Sequence, residues 1–427
     1  MNYNKVISGS LAVAIVLVLL VASAPKPALS QIQNVQNNIG SSSNNNASAA
    51  SNSDNNAGTK KTLRIGYFPN INHAQAVIGL GRGDFQRALG DNVEVKTQIF
   101  NAGPAAIEAL LANQIDVAYV GPGPAINGYI RSDGQALRII SGAASGGAVF
   151  VVRNDSGINS PQDLANKKFA TPELGNTQDI ALRNYLTDHG YKTKENSGNV
   201  EVLTVANPDI LTLFLKKEID GAWVPEPWGE RLVKEAGGKI LLDERTLWPP
   251  DGKFVTANIV ARTDYLKNNP DVVKKLLEAN INETNWINQN LKSTSSDNSA
   301  GGSNSNTVIK AFNTELQKLT GKTIADDTLN ASLSRIEFTY DPVKLSLFKD
   351  ANDAFKLGYI PQKPDLSGIY DLTILNQVVQ DKKLPPISGE SIGAGGDESG
   401  GVATSSNGTA SNSGATVSPS IISSNKG

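Results

Sequence analysis

Short β-type runs alternate with helix-type runs from Thr62 to about Pro386, and the alternation starts afresh midway along. Residues 63–68, 93–99 and 116–120 read as strands, with helices from about 74 and over 104–112 between them. Ile107, Leu110 and Leu111 share one face of the second helix. The pattern resumes with strands at 168–170, 200–205, 220–224 and 239–242, and helices at 177–189, 208–217 and 226–236. Strand–helix–strand units with short connections give a parallel sheet with helices on both faces. The expected class is α/β, built as two units rather than one long sheet.

An internal echo supports the division. Ile115-Asp116-Val117-Ala118-Tyr119-Val120 is matched by Ile219-Asp220-Gly221-Ala222-Trp223-Val224. Each run enters a Gly/Pro-rich turn, Gly121-Pro122-Gly123-Pro124 in one half and Pro225-Glu226-Pro227-Trp228 in the other. Shared helix-turn-strand chemistry alone would also produce such a likeness, and the two-unit division then still rests on the count of strands and helices. In open α/β sheets ligands bind beyond the carboxyl ends of strands, so two facing units make a cleft.

Composition removes several classes of function. The 39 Lys+Arg against 41 Asp+Glu give a net charge of −2, which argues against a nucleic-acid partner. There is no Cys and there are only two His, His73 and His189, so no metal centre or metal cofactor is expected. A length of 427 residues allows two or three domains at about 150 residues each.

The chain ends read differently from the middle. Lys5 precedes an apolar run over 11–22, short for a membrane span and suited to an export signal. Residues 1–30 are therefore a signal peptide cleaved after Ala28-Leu29-Ser30, or a retained membrane anchor. Residues 31–60 and 388–427 are Ser/Asn/Gly-rich and expected to be disordered, as is an insertion at 293–306. Sequons at Asn46, Asn154, Asn282, Asn330 and Asn407 are candidate glycan acceptors in an exported chain.

No Gly-x-Gly-x-x-Gly follows the first strand, and neither a phosphate-binding Gly-x-x-x-x-Gly-Lys-Ser/Thr nor a Gly-x-Ser-x-Gly elbow occurs. The expectation is no enzyme and no catalytic residue. Small-residue loops stand before helices instead, at Ala102-Gly103-Pro104, Gly121-Pro122-Gly123, Ser145-Gly146-Gly147 and Leu174-Gly175-Asn176-Thr177. Helix starts carry partial positive charge and free backbone N–H groups. Charge-assisted hydrogen bonds contribute about 1.5–3 kcal/mol each, and micromolar binding needs about 8 kcal/mol. A small oxyanion can thus be held without a cationic side chain.

Five stretches carry a resemblance that covers about three quarters of the chain. They are Ile65-Gly66-Tyr67-Phe68-Pro69-Asn70, Ala102-Gly103-Pro104 with Glu108-Ala109-Leu110, and Ile115 through Gly121. The other two are Thr171-Pro172-Glu173-Leu174-Gly175-Asn176-Thr177-Gln178-Asp179-Ile180-Ala181-Leu182-Arg183 and Asp220-Gly221-Ala222-Trp223-Val224-Pro225-Glu226-Pro227-Trp228. The chain resembles the substrate-binding proteins of ABC importers for aliphatic sulfonates, taurine and nitrate. The resemblance implies a two-lobed type II periplasmic-binding-protein fold with a mixed, mostly parallel sheet in each lobe. Lobe one would comprise 61–150 and 256–387, lobe two 151–255, with crossings near 149–153 and 254–262.

The resemblance implies ligand-binding roles for Asn70, Asn72 and His73 after the first strand and for Gly121 and Gly123 at a helix start. Ser145 and Gly146 would lie near the crossing, and Gly175, Asn176, Thr177 and Gln178 at the start of lobe two's first long helix. There Asn-Thr-Gln replaces the Ser run of the sulfonate relatives. Trp223 and Trp228 would wall an organic tail or serve as lobe core. Glu226 would meet a ligand amine, cap its helix or contact solvent, and Arg183 is expected at the surface. The implied function is capture of a small organic anion, an aliphatic sulfonate foremost, by a monomer at the periplasmic or cell-surface side. Delivery would be to an ABC permease. The alternatives are nitrate or bicarbonate, a thiamine-pyrimidine precursor, or an enzyme of thiamine-pyrimidine synthesis on the same fold.

Overall fold

The computed structural model of the protein describes residues 60–292 and 305–387. The export segment, all but the last residue of the tether, most of the 293–306 insertion and the carboxyl tail lie outside the described residues. No described helix is long and apolar enough to cross a membrane.

The strands are β1 (Lys61–Tyr67), β2 (Val93–Ile99), β3 (Val117–Val120), β4 (Leu137–Gly146), β5 (Ala148–Arg153), β6 (Lys168–Thr171), β7 (Glu201–Thr204), β8 (Gly221–Pro225), β9 (Gly238–Asp243), β10 (Val255–Arg262) and β11 (Ile336–Phe338). They form two sheets, in the orders β11-β4-β10-β3-β1-β2 and β7-β6-β8-β5-β9. Each is mixed, with most strands running one way. In the first, β10 and β11 oppose the rest; in the second, only β5 does.

The sequence echo has a structural meaning. Four strands counted inward from one edge of each sheet have the same layout, β2-β1-β3-β10 and β7-β6-β8-β5, with two parallel pairings and then an antiparallel one. Asp116 and Asp220 occupy equivalent places. Asp116 Oδ2 accepts from the Arg64 N–H at 2.9 Å, and Asp220 Oδ2 from the Lys168 N–H at 2.9 Å. Each carboxylate therefore pins the central strand to its parallel neighbour.

Helices complete the layers. They are α1 (Ala74–Gly81), α2 (Asp84–Leu89), α3 (Gly103–Leu111), α4 (Pro122–Arg131), α5 (Thr177–Asp188), α6 (Asn207–Leu215), α7 (Trp228–Ala236), α8 (Thr263–Asn268), α9 (Pro270–Lys292), α10 (Ser305–Thr320), α11 (Asp326–Leu333), α12 (Lys344–Lys356) and α13 (Thr373–Asp381). One face of the first sheet packs on α1, α2, α9–α11 and α13 through residues such as Ile78, Phe85, Leu277, Phe312 and Leu375. Its other face takes α3, α4 and α12 through Ile107, Ile126 and Leu347. The second sheet is sandwiched between α5 and the pair α6 and α7. The chain leaves the first sheet at Gly146-Gly147, whose φ values of 77° and 78° suit glycine, and β10 brings it back.

The strand reading missed β4, whose second half is Ser-Gly-Ala-Ala-Ser-Gly. That half lacks the branched residues that mark strands. Small residues are required there because the neighbours come close. A Cβ at Gly142 would overlap the Asp341 carbonyl.

Trp223 belongs to the core of the second lobe and not to a ligand wall. It is fully buried, stacks on Phe150 at 5.4 Å and donates from Nε1 to Glu244 Oε2 at 2.7 Å. Burial pushes the Glu244 carboxyl up to about 7. A raised carboxyl favours the folded state when protonated, and this contribution is lost as pH rises through 7. Glu244→Gln mimics the protonated form and keeps an acceptor for Trp223. The variant is expected to melt above the parent at pH 8 and to lose that advantage by pH 5, read by calorimetry at both values. An unchanged difference between the two pH values would mean that Glu244 is ionised throughout.

Candidate functional site

Four helix starts converge where the lobes meet. A cavity of about 30 Å³ is lined by Ala102 and Gly103 at the start of α3, Gly121 before α4, Asn176, Thr177 and Gln178 at the start of α5, and Asn207 at the start of α6. Two of these helices come from each sheet's layers. Ala102, Gly121 and Ala206, which precede α3, α4 and α6, give no side-chain cap, although the Gly123 N–H of α4 donates to Thr177 Oγ1 and the Ala105 N–H of α3 to Glu173, whereas α5 is capped by Asn176, whose Oδ1 accepts from the Asp179 N–H at 2.8 Å. Four dipole ends make the cavity electropositive without a cation.

The lining side chains are neutral. Six are carboxamides, Asn70, Asn72, Asn101, Asn176, Gln178 and Asn207, and among the described residues no Lys, Arg, Asp or Glu lines the space. The side-chain oxygens of Asn72 and Asn207 are buried without a hydrogen-bond partner. His73 is 1% exposed, stacks on Phe68 at 4.5 Å and accepts the Phe68 N–H on Nδ1 at 3.2 Å. That bond leaves the ring proton on Nε2. Burial pushes the imidazole down to about 3, so at neutral pH it is an uncharged donor and a weak base.

Of the residues expected at a ligand, Asn70, Asn72, His73, Gly121, Asn176, Thr177 and Gln178 come together on this cavity. The others do not line it. Gly123 lies one step into α4, and its N–H donates to Thr177 Oγ1 at 3.3 Å. Gly175 supports the loop from behind, donating its N–H to Asp179 Oδ2 at 2.9 Å. Ser145 and Gly146 sit at the end of β4 in the sheet, where Ser145 Oγ accepts the Phe254 N–H at 3.2 Å and Gly146 pairs with β11. Glu226 is fully buried at the start of α7. It caps the Glu230 N–H at 3.0 Å and accepts from Arg335 at 3.1 Å and Ser332 at 3.1 Å. Trp228 braces Asn70, donating from Nε1 to its Oδ1 at 3.0 Å, while Arg231 covers its ring.

Arg183 is not a surface residue either, being 8% exposed and bonded from Nε to Asp179 Oδ1 at 2.9 Å. Asp179 also accepts from Thr171 Oγ1 at 2.9 Å and, across the lobes, from the Tyr359 hydroxyl at 2.6 Å. It thereby fixes the loop that leads into α5. The sequence reading overlooked Asn101, Asn207, Thr256 and Pro225, which also line the cavity. The signal for the first two was an Asn close ahead of the Pro in each helix's first turn, as in Asn101-Ala102-Gly103-Pro104 and Asn207-Pro208.

The sequence model of the NMT1-like family matches residues 56–299. A taurine-binding periplasmic protein of Escherichia coli is 25% identical over 185 residues, which are 43% of this chain and 54% of that protein. The chain thus spans about half the length of the curated relatives it matches. Among solved structures it is similar to the alkanesulfonate-binding protein SsuA of Xanthomonas axonopodis bound to MOPS. The TM-score is 0.59 at 15% identity, over 74% of this chain and 99% of that one. It is also similar to the periplasmic nitrate-binding protein NrtA of Synechocystis, with a TM-score of 0.60 at 16% identity over 76% and 90%. These likenesses match the two-lobed layout described above.

The glycines of α4 permit the lobes to touch. A Cβ at Gly121 would overlap Thr177 Oγ1, and one at Gly123 would come within 2.8 Å of the Ile180 Cδ1. Gly121→Ala is expected to leave each lobe folded, with unchanged circular dichroism, while small-angle scattering reports a larger radius of gyration. An unchanged radius would show that the Thr177 side chain simply turns aside.

Proposed function

We propose that this chain, which belongs to the NMT1-like family, is the exported binding component of an ABC importer. It captures a small organic anion, foremost an aliphatic sulfonate, between its lobes and hands it to a membrane permease. The observation that carries this reading is the convergence of four helix starts on a cavity with no charged side chain. Such a site favours an anion, disfavours a cation and gives a sulfonate's oxygens several N–H and amide donors at once. Three to five charge-assisted bonds at about 1.5–3 kcal/mol each reach the ~8 kcal/mol that micromolar affinity requires. An uncharged His73 with little basicity suits holding a solute rather than moving its protons. Affinity resides in the closed state, because the donors from the two lobes meet there. The export segment, the taurine-binding periplasmic relative and the SsuA likeness support placement outside the cytoplasm.

The 30 Å³ volume supports a second reading, an inorganic oxyanion such as nitrate, since it suits a bare head group. Calorimetric titration with ethanesulfonate, nitrate and bicarbonate separates the two. Ethanesulfonate is expected to bind at micromolar to low-millimolar levels and nitrate more weakly. Asn72→Leu or Asn207→Leu is expected to weaken ethanesulfonate about tenfold, or ~1.4 kcal/mol, with the fold intact. Tighter binding of nitrate would favour the second reading, and no heat from any anion would overturn both.

A further inference from the structure

Asn70 is held from the far side of the lobe gap. It stands just past β1 in the first lobe, is buried and lines the cavity. Trp228 opens α7 in the second lobe, outside the cavity lining, and its Nε1–H donates to Asn70 Oδ1 at 3.0 Å. An indole N–H only donates, so the amide atom that meets it must be the oxygen. The Asn70 Nδ2 then lies on the other branch of the planar amide and makes no hydrogen bond among the described residues. The indole is held in turn. Arg231 covers its ring at 4.5 Å and is itself paired with Glu235 at 2.7 Å. The other cavity amides are held differently. Asn176 takes its donor, the Asp179 N–H, from its own lobe, and the side-chain oxygens of Asn72 and Asn207 have no partner.

We propose that Trp228 is a positioning residue that fixes Asn70 as a hydrogen-bond donor to the ligand's head group, and that it does so only when the lobes are closed. This rests on the anion-binding reading above and deepens it. A free carboxamide can turn over and present either its NH2 group or its oxygen, so it serves an anion and a neutral N–H donor alike. With its oxygen claimed by Trp228, Asn70 offers a guest only donors. That suits an oxyanion and disfavours a head group that must itself donate. One movement then joins the lobes by a hydrogen bond and sets the polarity of the pocket, because donor and amide come from opposite lobes. A strut that merely joined the lobes would strengthen every ligand equally.

Calorimetric titration of the full chain with ethanesulfonate and ethanesulfonamide tests the proposal. The two are close in shape, but the second is neutral and carries an NH2 group in its head. The parent protein is expected to prefer ethanesulfonate. Trp228→Phe keeps an aromatic ring and removes the donor. It is expected to weaken ethanesulfonate about five- to tenfold while ethanesulfonamide binds as before or tighter. On an Asn70→Ala background the same change is expected to affect neither ligand. Asn70→Asp, which leaves Trp228 in place, is expected to abolish ethanesulfonate binding, since a carboxylate has no N–H to offer. Undiminished ethanesulfonate binding in Trp228→Phe, equal weakening of the two ligands, or weakening that persists beside Asn70→Ala overturns the role of Trp228 while leaving the anion site standing. Ethanesulfonate binding that survives Asn70→Asp does the same. Failure of the parent protein to bind ethanesulfonate overturns the anion site, and this proposal with it.

Discussion

Backbone amides at buried helix starts set the terms for the rest of this molecule. A buried N–H without an acceptor costs about 1–3 kcal/mol, and most helices escape that cost with a capping side chain. Here the residues that precede α3, α4 and α6 supply none, and these helix starts face the shared cavity. The amide side chains that share the space extend the same chemistry, since a carboxamide both donates and accepts without carrying charge. The glycines follow from it too. Bringing α5 within reach of α4 requires that positions 121 and 123 carry no Cβ.

Contacts of different strength join the lobes. Arg335, just past the end of α11, reaches Glu226, just before α7, at 3.1 Å and Glu230 on α7 at 2.6 Å, both buried. A buried ion network of this kind is costly to break, because each partner would be left charged and dry. Elsewhere between the lobes stand single hydrogen bonds, such as Gly123 to Thr177 and Tyr359 to Asp179.

Much of this was legible in the residues. The two-unit count of strands and helices and the Ile-Asp-x-Ala-aromatic-Val echo led directly to two sheets that share a four-strand layout. Loops rich in Gly, Asn and Pro marked the helix starts that line the cavity. What escaped was governed by long-range packing. Trp223 lies within β8 and Trp228 just beyond it, but only the fold decides that one indole points into the lobe core and the other toward Asn70. Ser145-Gly146 looked like a ligand loop because small residues serve close backbone approach of any kind, here that of β11 and the crossing. Arg183 read as exposed because its partner Asp179, one turn earlier, gave no sign that it was fully buried.

A pocket without formal charge has a further consequence. Dissolved ions weaken attraction between separated charges over a length of about 8–10 Å at ordinary concentrations, and they do little to dipoles in direct contact with a guest. Capture by helix ends and amides should therefore hold nearly constant from dilute water to brine. In the binding role proposed above, such indifference to salinity would come from the architecture itself.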